Sequence, residues 1–229
     1  EDVNTVMVGS NRQNTGADIN NSQSKHIPSC FPLIKHLASR LGCHFDTWLT
    51  ADLEQRQPLE FDYAIDRMQR DSKLNILCLP RDKQNERDKR IHPFDDTKIT
   101  QIYAQMHRAA FNPLYYSRSI EFNFVDDRKD ILDAILKTIS NHAALIPKGM
   151  TLRLHQYSTE LDQTQKYPII VGTGKLDYNY SSTIKQIYDD HSKSQPQKTT
   201  RMNLSYKYTI GGLQRNHQAL LAAQLLHIQ

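Results

Sequence analysis

A chain of 229 residues is long enough for one α/β domain with an insertion and for a substantial buried core. Its mean hydropathy of −0.66, with no run approaching roughly 18 apolar residues, excludes a membrane-spanning helix. The formal charge is +4, with acids interspersed among the Lys and Arg residues, which does not call for a nucleic-acid partner; Cys30, Cys43 and Cys78 fit no CxxC or metal-ligand spacing, as suits a reducing cytosol.

Thr5-Val6-Met7-Val8-Gly9 reads as a short apolar strand running into Ser10-Asn11-Arg12-Gln13. A hydroxyl, backbone amides and a guanidinium at a strand end can cradle a phosphate oxygen, and a Ser-Asn turn is also a common way to end a strand. Residues 14–25 are polar and read as a loop. A helix is expected over residues 28–41, with Pro28 in its first turn, apolar Phe31, Leu33, Ile34, Leu37, Ala38 and Leu41, and Gly42 as its stop. The next strand is expected over residues 45–49. An insertion at residues 50–97 follows, with a short helix near residues 61–68 and a strand at residues 74–79. From its residues it reads as a further core strand with a solvated charged loop, long for a connection in a compact α/β domain.

Lys98 begins a strong helical pattern, with Ile99, Ile102, Tyr103, Met106, Ala109 and Ala110 on one face and Asp95, Asp96 and Thr97 as candidate caps. A lysine in a first helical turn opposes the helix dipole. That cost is small on a solvated face; an inward ammonium could instead meet an anion. Ile120, Phe122, Phe124 and Val125 then form a strand that ends in Asp126-Asp127-Arg128, and Asp130 opens a helix containing Ile131, Leu132, Ile135, Leu136 and Ile139. In an open α/β sheet ligands gather outside the carboxyl ends of the strands. Paired carboxylates there suit a hard cation such as Mg²⁺, which takes one or two carboxylates and keeps waters and phosphate oxygens as its other ligands. An acidic helix cap is the other reading.

An alternating strand is expected over residues 150–157, and another over residues 167–171, kept from a central position by Pro168. Gly172-Thr173-Gly174 reads as a tight turn, a GxG near a phosphate being the lesser alternative. A helix capped by Asn179 or Ser181 should run to about residue 191, a linker over residues 192–200, and a tail over residues 201–229 with Leu213, Leu220, Leu221, Leu225 and Ile228 near helical spacing. That tail helix suits packing or a partner. Tyr115, Tyr116, Arg118, Tyr206, Lys207 and Tyr208 interleave aromatics with bases but complete no nucleic-acid motif.

In this order Ser10, Lys98 and Asp126-Asp127 resemble the second, third and fourth motifs of the haloacid dehalogenase (HAD) superfamily: a strand ending in Ser or Thr, a helix with an inward Lys, and a strand ending in paired acids. More narrowly, Val8-Gly9-Ser10-Asn11-Arg12-Gln13, Gln105-Met106-His107, Phe124-Val125-Asp126-Asp127-Arg128, Leu152-Arg153-Leu154-His155 and Ile170-Val171-Gly172-Thr173-Gly174-Lys175-Leu176-Asp177 resemble HAD-like phosphatase effectors that Legionella-type bacteria secrete through a type IV system. The resemblance covers roughly residues 1–191 and leaves the tail aside.

It implies a Rossmannoid three-layer α/β sandwich with a parallel sheet, a cap between the second and third motifs, and a Mg²⁺-dependent phosphatase of phosphomonoesters, protein phosphotyrosine among them. Ser10, Asn11 and Arg12 would contact substrate, Lys98 would stabilise nucleophile and phosphoryl charge, and Asp126 with Asp127 would hold the metal. The implied place of action is the cytoplasm of a host cell, with a host phosphoprotein as partner.

One departure matters. Such enzymes begin with a strand and Asp-x-Asp-x-Thr, whose first Asp attacks phosphorus, and no such motif precedes Ser10; Asp95-Asp96-Thr97 only echoes it. The expectation is that the nucleophile segment lies outside this chain, which alone would turn over little or no substrate, or else that catalysis has been lost. The competing function is then a noncatalytic module of the same fold that binds a host protein.

Overall fold

A computed structural model describes residues 4–9, 31–46, 93–94, 97–115, 118–157, 167–194, 202–203, 209–215 and 218. The chain divides into two compact units, residues 1–94 with 195–203, and residues 95–194 with 204–229. Both mix helix and strand with parallel strand pairing, so the protein is α/β.

In the first unit β1 (Thr5–Val6) runs parallel to β2 (His44–Phe45), with α1 (Phe31–Arg40) as the crossover between them. Parallel neighbours need such a crossover because a tight turn would reverse the chain. The stop expected at Gly42 is present. Gly42 takes φ +67°, the Gly42 N–H donates to Ser39 O at 3.1 Å, and the Cys43 N–H donates to Ala38 O at 2.9 Å. That paired closure caps the last carbonyls and needs a left-handed residue at its centre, a conformation glycine adopts without a Cβ clash. β3 (Pro93–Phe94) pairs in parallel with β7 (Met202–Asn203), joining the end of the expected insertion to the start of the expected tail.

The second unit is built on β4 (Ile120–Asp126), β5 (Met150–Gln156) and β6 (Ile170–Val171), in the order β4-β5-β6. β4 and β5 are parallel in unbroken register from Ile120↔Met150 to Asp126↔Gln156, joined by α3 (Lys129–Ser140). β6 is antiparallel to β5, pairing Thr151↔Val171 and Leu152↔Ile170, and lies at an edge where Pro168 just before it is tolerated. The expected strand over 167–171 is thus reduced to its last two residues.

Alternation sorts the sheet into two faces. Phe124, Met150, Leu152, Leu154 and Ile170 are buried beneath α2 (Ile99–Phe111) and α3, whose Ile131, Leu132, Ile135 and Ile139 point inward. Glu121, Asn123 and Val125 occupy the other face, exposed, beside half-buried Thr151, Arg153 and His155. Arg153 Nε donates to Glu121 Oε2 at 2.6 Å, and His155 Nε2 lies 2.7 Å from Asn123 Oδ1, so this face carries cross-strand polar pairs. α2 and α3 lie against the apolar face, and among the described residues of this unit no helix is seen on the polar one.

Two boundaries differ from expectation for clear reasons. Lys98 is not in a helical turn: α2 begins at Ile99, and Lys98 precedes it in a left-handed conformation at φ 56° and ψ 7°. Lys98 is thus the N-cap, still at the positive end of the helix dipole, and the Asp126 carboxylate offsets the conflict foreseen there. Asp130 is not a cap either; it sits in the first turn of α3, where Arg128 Nη2 donates to it at 2.6 Å across an exposed surface.

α2 is buried on nearly every side, Thr100, Gln101, Gln105 and His107 included, because α4 (Tyr180–Ser194) packs against it as well as the sheet. Residues 209–215 are helical, with Ile210 and Leu213 buried. A Cβ on Gly212 would stand 2.7 Å from the Ile187 side chain, so this part of the tail packs on α4. The helix expected to end near residue 191 runs on to Ser194, so the first three residues of the expected linker are helical. The stretches 50–92, 195–200 and 219–229 lie outside the described residues, and with them most of the expected cap, the rest of the linker and the last tail leucines.

Candidate functional site

The carboxyl end of β4 brings together two residues 28 positions apart: Lys98 Nζ donates to Asp126 Oδ2 in a direct ion pair. Three local features make the contact. Thr97, itself buried, accepts the Ile99 N–H on Oγ1 at 3.2 Å and sets the entry to α2. The left-handed backbone at Lys98 turns the chain immediately before the helix, and the Lys98 carbonyl accepts the Ile102 N–H at 3.0 Å. The Asp126 Oδ1 atom accepts the Arg128 N–H at 2.9 Å, a local turn that orients the carboxylate at the strand end. Beneath the ammonium lies the Phe124 ring, its centroid 5.8 Å from Nζ, on the same face of β4 as Asp126.

The Asp126 side chain is 3% exposed and that of Lys98 15%, so the pair is drawn well away from solvent. A buried ion pair contributes little net stability against an apolar pair of equal volume, because both ions must be desolvated. A non-glycine residue held at positive φ adds a cost of about 1–2 kcal/mol. Strained backbone and a buried charge pair coinciding at a strand's carboxyl end are features that gather at binding and catalytic sites.

Asp127 is exposed, and its carbonyl accepts from Gln156 Nε2 at 3.5 Å. Adjacent residues leave a strand toward opposite faces, and here Asp126 is buried while Asp127 is not. Asp126 is thus the one buried carboxylate at this edge among the described residues. Its donor chemistry, hard carboxylate oxygen, fits Mg²⁺ in a site completed by waters and phosphate oxygens, with the Lys98 ammonium sharing Oδ2. Among the described residues no group of three or more His, Cys, Asp or Glu gathers as a ready-made metal cage. Ser10, Asn11 and Arg12 lie outside the described residues; the chain is followed to Gly9, with Val8 buried just before it.

Further along α2 lies a cluster that joins two of the stretches carrying the resemblance, the one with His107 and the one with Asp177. Asp177, 1% exposed, accepts from Tyr103 Oη at 2.9 Å and Thr183 Oγ1 at 2.7 Å through Oδ2, and from the Asn179 N–H at 2.9 Å through Oδ1. Its own N–H donates to His107 Nδ1 at 2.9 Å, and His107 Nε2 stands 3.3 Å from Leu145 O. His107 and Asp177 are 70 positions apart, so no local motif could announce the pairing. The sequence signals were that both residues fall in stretches carrying the resemblance, and that polar residues interrupt an otherwise apolar helix pattern. Asp46, buried at the end of β2, is a further carboxylate that went unnoticed.

Gly172-Thr173-Gly174 serves packing. A Cβ on Gly174 would lie 1.9 Å from Ala144 O and one on Gly172 would lie 2.3 Å from Pro147 O, because this segment runs backbone to backbone along residues 143–147. No protein-family model matches the chain, and no curated protein or solved structure is significantly similar to it.

Proposed function

We propose that the carboxyl edge around Lys98 and Asp126 is the phosphate- and metal-binding half of a HAD-type site in a Rossmannoid sandwich, and that the protein serves Mg²⁺-dependent hydrolysis of phosphomonoesters. The observation that carries the reading is the ion pair between Lys98 and Asp126, which sequence order alone does not require. The parallel pairs β1-β2 and β4-β5, each with a helical crossover, are of the kind such a sheet uses.

In this reading Asp126 holds the Mg²⁺, Asp127 assists from the exposed side, and Lys98 meets the phosphoryl oxygens as a charged donor in a low-dielectric setting. Bound Mg²⁺ supplies neutralisation of phosphoryl charge. Ser10 would donate to a phosphoryl oxygen, with Asn11 and Arg12 as neighbouring contacts. The 229 residues contain no Asp-x-Asp-x-Thr, so this chain by itself is assigned recognition of the phosphomonoester, with little or no turnover. Phosphotyrosine on a host protein, met in the host cytoplasm after type IV secretion, is the substrate the resemblance favours. The missing motif also keeps the second reading, a noncatalytic module of the same fold that docks on a host protein.

Calorimetric titration of phosphotyrosine with and without Mg²⁺ separates the two. We expect Mg²⁺-dependent binding by the native chain, loss of the metal dependence in Asp126→Asn, and at least ~10-fold weaker phosphate binding in Lys98→Met, as removal of one charge-assisted hydrogen bond implies. Binding unchanged in both variants, no binding at all, or turnover of phosphotyrosine peptides without metal would overturn the enzyme-type site.

A further inference from the structure

We propose that His107 is an acid-sensitive latch that fastens the segment before α4 to helix α2, independent of the phosphate site. The geometry dictates its protonation state. A backbone N–H can only donate, so the Asp177 N–H at 2.9 Å requires a lone pair on His107 Nδ1. The ring is therefore neutral with its proton on Nε2, where Leu145 O at 3.3 Å accepts it.

Gaining a proton puts an N–H against an N–H. The hydrogen bond to Asp177 is then lost, and Nδ1–H must find another acceptor in a buried place.

Around the ring, α2 contributes the Tyr103 phenol, with ring centroids 4.1 Å apart. Leu145 contributes its carbonyl and the segment before α4 the Asp177 N–H, while the uncharged Thr183 of α4 is bonded to the Asp177 carboxylate. Asp177 is the one anion in the cluster among the described residues, and both its oxygens are already committed, Oδ2 to Tyr103 and Thr183 and Oδ1 to the Asn179 N–H. Turning it toward an imidazolium abandons the bonds that begin α4, where the Thr183 N–H donates to Asn179 O at 3.0 Å.

The other end of the segment stays anchored. The Gly174 N–H donates to Ile146 O at 2.9 Å and the Lys148 N–H donates to Gly174 O at 2.8 Å, neither of which titrates. Acid thus releases residues 175–183 while the sheet is left intact. The sign follows from linkage: the native arrangement excludes a proton that the opened one accepts, so protection is complete at neutral pH and falls as pH falls.

Hydrogen exchange on the whole chain tests this, read by NMR as protection factors between pH 7.5 and pH 5. The amides of Asp177 and Thr183 should lose at least tenfold in protection while Leu152 and Leu154 keep theirs. His107→Asn keeps an acceptor where Nδ1 was but does not titrate, and should abolish the selective loss. The imidazole ¹⁵N shifts of the native protein provide a readout that does not depend on the variant folding; they should show the proton on Nε2 at neutral pH. A proton on Nδ1, equal protection at both pH values in the native chain, or the same selective loss in His107→Asn would overturn the latch.

Discussion

The two ends of α2 are built on opposite terms. At its start a lysine in strained backbone reaches an aspartate across the end of β4, and the pair retains some solvent access. At its far end Tyr103, His107, Asp177 and Thr183 close a network in which every residue is less than a tenth exposed. A fully satisfied buried network rigidifies and specifies one packing. A charge pair on strained backbone adds little net stability. Stability should therefore respond to substitutions at the far end of α2, and ligand binding to substitutions at its start.

Asp177→Asn gives the largest expected effect. The amide can accept at only one of the two former oxygens, so either the Asn179 N–H or the shared acceptor of the Tyr103 and Thr183 hydroxyls is lost, and urea unfolding should show a loss of at least ~2 kcal/mol. Phosphate binding by whatever remains folded should be unchanged. An equal loss of both would dissolve the contrast between the two ends.

Gly174→Ala sharpens the same point without touching a polar group. Its Cβ would stand 1.9 Å from Ala144 O, a backbone atom with no freedom to swing aside. Overpacking of this kind costs about 1–3 kcal/mol. Unchanged thermal unfolding would show that residues 143–147 can yield, and that the glycine reflects only a turn.

At the other end of α2, Lys98→Gly and Lys98→Met form an informative pair. Both remove the ammonium and leave Asp126 without it, so both should lose phosphate binding alike. Glycine accepts the left-handed backbone and should be the more stable of the two by ~1 kcal/mol. Equal stability would mean that φ at residue 98 relaxes once the ion pair is gone.

The smallest effect belongs to the polar face of the sheet. The Glu121 carboxyl is held below the usual range by its hydrogen bond from Asn123 and then by the Arg153 guanidinium. A carboxylate whose pKa is depressed in the fold contributes stability above its unfolded value and loses it as pH falls through the folded one. Glu121→Gln should flatten that acid-side slope slightly, with solvent screening keeping the effect near the limit of detection. A large change would place this face under cover in solution.

Much of the second unit was legible in the sequence because period-2 and period-3.6 patterns report directly which side of an element meets apolar neighbours. The strand at 120–126, the helix carrying Ile131, Leu132, Ile135 and Ile139, and the alternating strand at 150–156 all follow from such patterns. Gly42 closed α1 as expected because a left-handed residue there is a local demand. The candidacy of Lys98 and Asp126 was likewise visible, as residue types at element ends. Whether they meet was not, since that depends on how α2 lies across β4.

Tertiary structure alone decided the rest. Periodicity treats α2 as a helix with one apolar face, yet α4 packs on it as well as the sheet, and its glutamines, threonine and histidine are buried with the rest. The antiparallel return of β6, the close run of residues 172–174 along 143–147, and the meeting of His107 with Asp177 are contacts between segments distant in sequence. Local propensity carries no term for such contacts. They exist because a buried donor or acceptor must find a partner wherever the packed chain presents one.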